Sequence, residues 1–158
     1  MEQILILGHM ILAMLLGGFI GYDRETRDKP AGLRTHMLVA GAAALLVGLG
    51  NTIVSEIGNL GVTEAIRSDP LRILEAVVTG VSFLGAGTIL RQQNGDKVSG
   101  LTTAASMLFA AGVGASIGFG EFALGIGSTL LALLTLRTLG PLSYRLSGRA
   151  SEEPPDQE

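Results

Sequence analysis

The sequence predicts an all-α, polytopic membrane protein, a compact bundle of five transmembrane helices. Two observations predict it. Five blocks, residues 4–20, 36–54, 76–90, 101–119 and 122–136, contain no Asp, Glu, Lys or Arg. At the junction of the first two, residues 17–36 carry seven charged groups, from Asp23 to Arg34. Each would cost about 2.5–3.5 kcal/mol at a bilayer centre, so this stretch is a tight polar turn at a membrane face. The blocks are 15–19 residues long. As helices they reach about 23–28 Å, enough for a hydrocarbon core of about 30 Å once flanking residues extend or snorkel. None carries the polar stripe of a soluble core helix.

The elements follow in order. The first block comes after Met-Glu-Gln, lacks the basic n-region of a secretory signal and has no small-residue cleavage site behind it, so it reads as an uncleaved first span. Pro30 suits a first helical turn, and the second helix is expected to start near Pro30 or Ala31. Residues 55–69 form the long connection, with a short interfacial helix expected over 63–67. Asp69-Pro70 reads as an N-cap followed by proline at the first helical position, opening the third span. Asn94-Gly95-Asp96 is a turn signal, and Ser99 is the candidate N-cap of the fourth span. Residues 1–140 are assigned to a transmembrane domain, and 141–158 to a short cytoplasmic tail whose Gly, Ser, Glu, Pro and Asp content predicts disorder.

Lys and Arg set the orientation. Nine of them fall in the turns after spans one and three and after span five, whereas only Arg67 and Arg72 fall on the opposite side. The N-terminus is therefore expected outside and the C-terminus in the cytoplasm. The chain has no cysteine, which excludes disulfides and thiolate metal sites.

Most of the 23 glycines lie in or beside the spans. Each costs a helix about 1 kcal/mol relative to alanine, and in lipid the usual compensation is close backbone approach at faces of small residues. Gly17 and Gly21 mark such a face on span one, and Ala40, Ala44 and Gly48 mark one on span two. On span four Thr102, Ser106, Ala110, Gly114 and Gly118 recur every fourth residue. In span three Gly80, Gly85 and Gly87 stand among the hydroxyls of residues 79–88. They read either as packing positions, with the hydroxyls bonded back to helix carbonyls, or as a place where the helix opens to a ligand or ion.

The polar turn also has two readings. Asp23 with Arg27, and Arg24 with Asp28, are spaced i,i+4 and can pair if helix one continues past the membrane. The plain reading is a self-neutralising turn that anchors topology. The sharper one is a recognition or regulatory surface of Asp23, Arg24, Glu25, Arg34 and His36, because polar groups in the first turns of span two need partners. Residues 98–103 place N–H groups and hydroxyls at the start of span four. That favours an anion, a simple cap, or a carboxylate from the first turn.

Glu56 and Glu75 are the weak metal candidates, acidic residues near an outer entrance that could serve Mg²⁺. His9, alone in an apolar helix, is expected to meet a neighbour rather than a metal. No catalytic constellation, cofactor motif or nucleic-acid surface is evident, and the protein is not expected to be an enzyme.

Four segments in order, Gly-Gly-Phe-Ile-Gly-Tyr-Asp-Arg-Glu, Lys-Pro-Ala-Gly-Leu-Arg-Thr-His, Phe-Leu-Gly-Ala-Gly-Thr-Ile and Val-Ser-Gly-Leu-Thr-Thr-Ala-Ala, resemble the membrane domain of the MgtC/SapB family over about residues 12–136. The resemblance implies a bacterial cytoplasmic (inner) membrane protein linked to growth under magnesium limitation and, in pathogens, to virulence. It also implies a modulator of other membrane proteins, with ATP synthase among the proposed targets, and the charged turn beside glycine-lined faces leads us to expect a homo-oligomer. The positions it marks are Asp23, Arg24, Glu25, Arg34, Thr35, His36 and Thr102, beside Gly85 and Gly87. Asp23 stands where the resemblance leads one to expect glutamate, and residues 107–109 lack the tryptophan common there. The expected function is thus regulatory and non-enzymatic, and the alternative is a channel or transporter for Mg²⁺ or another small solute.

Overall fold

The computed structural model describes residues 2–59, 70–91 and 98–149. They form α1 (Glu2–Glu25), α2 (Leu33–Asn59), α3 (Pro70–Thr88), β1 (Leu90–Arg91), β2 (Val98–Ser99), α4 (Leu101–Gly118) and α5 (Phe122–Arg149). The helix expected over 63–67, the turn at 94–96 and residues 150–158 lie outside the described residues.

The expected punctuation is met at some helix ends and shifted at others. Helix α3 opens at Pro70. Helix α2 opens at Leu33 rather than Pro30, because the chain first has to leave α1. It does so through Asp28, which adopts φ 52°, a conformation aspartate tolerates. The Asp28 N–H then donates to the Glu25 carbonyl and the Lys29 N–H to the Arg24 carbonyl, both at 3.1 Å, which closes the helix end in a Schellman arrangement. Ser99 is not the cap of α4. It pairs with Leu90 in a two-residue antiparallel ladder that joins α3 to α4, and Gly100, at φ 92°, takes the cap position. Helix α5 runs through the boundary expected at residue 140 as far as Arg149.

Helices α1, α2 and α4 pack against one another as the core, α5 lies on α4 and α1, and α3 lies on α4 and α2. Over an 18-residue window 56% of α4 is buried but only 17% of α3, so α4 is the central element and α3 the peripheral one. The small-residue faces explain the close contact. A Cβ on Gly17 would lie 2.6 Å from the His36 carbonyl oxygen, one on Gly114 would strike the Ala40 carbonyl, and one on Gly118 would lie 2.9 Å from the Ala44 carbonyl oxygen.

The core is apolar, but the surface is apolar too, unlike that of a water-soluble protein. Ile4, Leu38, Phe83 and Leu130 are among many large apolar side chains at the surface, whereas Asp23, Arg24, His36, Thr103, Ser106 and Thr129 are buried. Water would penalise so much contiguous apolar surface, and lipid solvates it. Four helical stretches, Glu2–Glu25, Leu33–Glu56, Leu71–Thr88 and Leu101–Gly118, are long and apolar enough to cross a membrane, and the apolar stretch of α5, Phe122–Thr138, is shorter.

Candidate functional site

Apart from Thr129, whose hydroxyl bonds back to the Gly125 carbonyl within α5, the buried polar groups among the described residues collect at one end of the bundle, where α1 finishes, α2 begins and α4 begins. Arg24, in the last turn of α1, is only 5% exposed. Its Nη2 donates to Thr103 Oγ1 on α4 at 3.2 Å. His36, one turn into α2, has no exposed surface. Its Nδ1 donates to the Gly32 carbonyl at 2.9 Å, since a carbonyl can only accept. Its Nε2 lies 2.9 Å from Ser106 Oγ, and Ser106 Oγ is also 2.8 Å from the Thr103 carbonyl. The serine carries one hydrogen. With a neutral imidazole protonated at Nδ1, that hydrogen serves Nε2 or the carbonyl but not both. Three helices are thereby tied by one polar chain, in a medium where each unmet polar group is costly.

Asp23 sits beside this chain and faces a different set of partners. Arg27 Nε lies 3.2 Å from Oδ2, and Arg137 Nε, from α5, donates to Oδ1 at 3.2 Å. The Arg27 Nε contact is close but its N–H is not aimed along it, so Oδ2 is ion-paired without an aligned hydrogen bond. The Arg24–Asp28 pair expected from i,i+4 spacing is absent among the described residues, because α1 ends at Glu25 and the positive φ of Asp28 turns the backbone away. Glu25 instead crosses the turn, and its Oε2 accepts the Leu33 N–H at 2.6 Å, supplying the first turn of α2 with a negative charge where the helix dipole favours one. Gly32 permits this, since a Cβ there would lie 2.6 Å from that oxygen.

Of the residues singled out from sequence, Asp23, Arg24, Glu25 and His36 are thus gathered at this end. Arg34 is exposed, Thr35 is partly buried, and Thr102 is exposed. The hydroxyl turned inward is the next one along, Thr103, with Ser106 three residues on. A carboxylate from the first turn does not reach the start of α4; a guanidinium does. Gly17, Gly21, Gly114 and Gly118 lie at helix contacts, Gly85 approaches Ala104, and a Cβ on Gly80 or Gly87 would meet nothing within 4 Å.

Helix α3 continues unbroken through its glycines. The hydroxyls of Thr79 and Thr88 donate back to the Glu75 and Gly85 carbonyls. Glu56 and Glu75 are both exposed, and among the described residues no three His, Asp or Glu side chains group as a metal site. His9 meets the Phe122 ring edge-on, with centroids 5.2 Å apart.

A family model, described as the MgtC family, matches residues 10–145. The chain belongs to the MgtC family. Among its relatives, YhiD of Escherichia coli, named as a proposed magnesium transporter, is 43% identical over 143 residues, covering 89% of this chain and 63% of the relative. Protein MgtC of Salmonella typhimurium is 38% identical over 139 residues, covering 88% of this chain and 54% of the relative. A Haemophilus influenzae protein without an assigned function is 37% identical over 151 residues, covering 96% of this chain and 62% of the relative. The chain therefore spans between 54% and 63% of the length of these relatives. No solved structure matches it.

Proposed function

We propose that this MgtC-family chain is a five-span protein of the bacterial cytoplasmic membrane. In this reading it serves adaptation to magnesium limitation by acting on other membrane proteins, as a non-enzymatic regulator working as a homo-oligomer. The observation that carries the proposal is how the buried polar groups are used. Arg24, His36, Thr103 and Ser106 bind helix to helix, and backbones meet along the same helices at Gly17, Gly114 and, at the far end of α4, Gly118. Such a core favours a rigid platform over a passage, and it leaves the charged turn to meet partners, ATP synthase being one candidate.

The test is growth of a deletion strain in magnesium-depleted medium, complemented by wild type or by Arg24→Ala. Failure of the deletion strain to grow, rescued by wild type only, is the expected result. Normal growth without the gene overturns the reading. Cysteines introduced at Thr26 and Glu121, in a chain that has none of its own, should react from opposite sides of the membrane.

A second reading, transport of Mg²⁺, is favoured by the name of the Escherichia coli relative. Saturable Mg²⁺ flux into liposomes carrying the purified protein, abolished by Glu75→Ala, would replace the regulatory reading.

A further inference from the structure

The same end of the bundle holds a cavity of about 480 Å³, within the roughly 300–1,000 Å³ typical of small-ligand sites. Arg24 and Lys29 line it from the α1–α2 turn, with Asp28 the acid among the lining residues, and Thr102 and Thr103 line it from the first turn of α4. Helix α4 has no side-chain cap, because Gly100 holds the cap position. The first N–H paired by the helix is that of Ala104, donating to the Gly100 carbonyl, which leaves three N–H groups before it for an outside acceptor.

A helix start alone would say little. Here a second feature points the same way. Arg24 is 5% exposed, its guanidinium is turned onto the first turn of α4 by the bond to Thr103, and its Nε has no acceptor. The neighbouring carboxylate, Asp23, makes its ion pairs with Arg27 and Arg137. A buried cation with a spare N–H, an ammonium group, two hydroxyls and an uncapped helix start are nearly all donors, and their missing complement is an oxyanion.

We propose that this cavity binds a phosphate group, held by Arg24, Lys29, Thr102 and the first N–H groups of α4. A phosphate can be presented by an anionic phospholipid headgroup at the membrane rim, where basic pockets between helices take such groups, or by free inorganic phosphate.

The full chain is purified and tested in two arms. Native mass spectrometry measures retention of phosphatidylglycerol against phosphatidylcholine, and thermal melting measures stabilisation by inorganic phosphate against chloride at equal ionic strength. The variants are Lys29→Gln, Lys29→Arg and Thr102→Val, all at accessible positions that leave the buried Arg24 in place. Lys29→Gln should weaken binding about fivefold, Thr102→Val about tenfold, and Lys29→Arg should retain it. Preferential lipid retention with these losses supports the site with the headgroup as ligand. A phosphate-induced melting shift with the same losses supports it with the free ion. Neither effect in wild type overturns the proposal. So does a loss in Lys29→Gln that Thr102→Val does not share, which marks unspecific attraction to rim charge.

Discussion

Arg24 Nη2 and Thr103 Oγ1 meet at 3.2 Å although 79 positions separate them in the chain. The bond fixes the end of the first helix to the start of the fourth. Among the described residues it is one of two hydrogen bonds between side chains, with His36 to Ser106, that join the three core helices at this end.

Removing the acceptor should therefore loosen the bundle at least as much as removing the arginine. Arg24→Ala takes away the buried charge together with its hydrogen bond, whereas Thr103→Val leaves the buried guanidinium in place without that partner, and each is expected to cost about 2–3 kcal/mol. A double-mutant cycle in reversible detergent unfolding measures the coupling. Additive losses would show that the two side chains do not stabilise each other.

Ser106→Ala leaves His36 Nε2 buried without a partner, since Nδ1 is committed to Gly32. The expected loss is about 1–3 kcal/mol. In ¹⁵N spectra of histidine-labelled protein, His36 should carry its proton on Nδ1 when the ring is neutral. A neutral ring protonated on Nε2 would contradict the observed geometry.

The glycines divide into two experimental classes. Gly17→Ala and Gly114→Ala push a methyl group into the His36 or Ala40 backbone and should cost about 1–3 kcal/mol by overpacking. Gly80→Ala meets nothing within 4 Å and should be neutral or stabilising by up to about 1 kcal/mol in the monomer. Melting temperatures in detergent separate the classes. A large loss at Gly80 under oligomer-preserving conditions alone would place that face in an interface.

Glu25 is expected to act as a cap supplied from outside its helix. Its 2.6 Å contact with the Leu33 N–H predicts a loss of about 1 kcal/mol for Glu25→Ala and a smaller loss for Glu25→Gln, which keeps an acceptor. Hydrogen exchange at the Leu33 amide reads the cap directly, and unchanged protection in Glu25→Ala would rule it out.

The helices were legible because membrane insertion demands long uncharged stretches, and Pro70 and the charged turn punctuate them. The small-residue faces at Gly17, Ala40 and Gly114 were legible because spacing alone reveals them. The polar site was half legible. Charge at the end of α1 and polarity at the start of α2 announced Asp23, Arg24 and His36, yet spacing singled out Thr102 where Thr103 turns inward. Adjacent helical residues differ by about 100° in direction, and the rotation of α4 is set by its contacts with α1 and α2, which lie far away in sequence. The ladder of Leu90 with Ser99 was hidden for a related reason, since a two-residue pairing leaves no periodic pattern.

The Arg24–Thr103 bond has a consequence for biosynthesis. The turn between α1 and α2 is closed by its own neighbours, through Asp28 and Glu25, so this hairpin can enter the membrane early. Arg24 and His36 then await an acceptor that the ribosome has not yet made. With Thr103 lying 79 positions after Arg24, and synthesis at about 5–20 residues per second, that wait lasts on the order of 4–16 s. Until α4 arrives, both side chains must stay near the aqueous rim or in the care of the insertion machinery. Nascent chains halted ahead of residue 100 should accordingly show position 24 open to a water-borne label, and completed chains should show it closed.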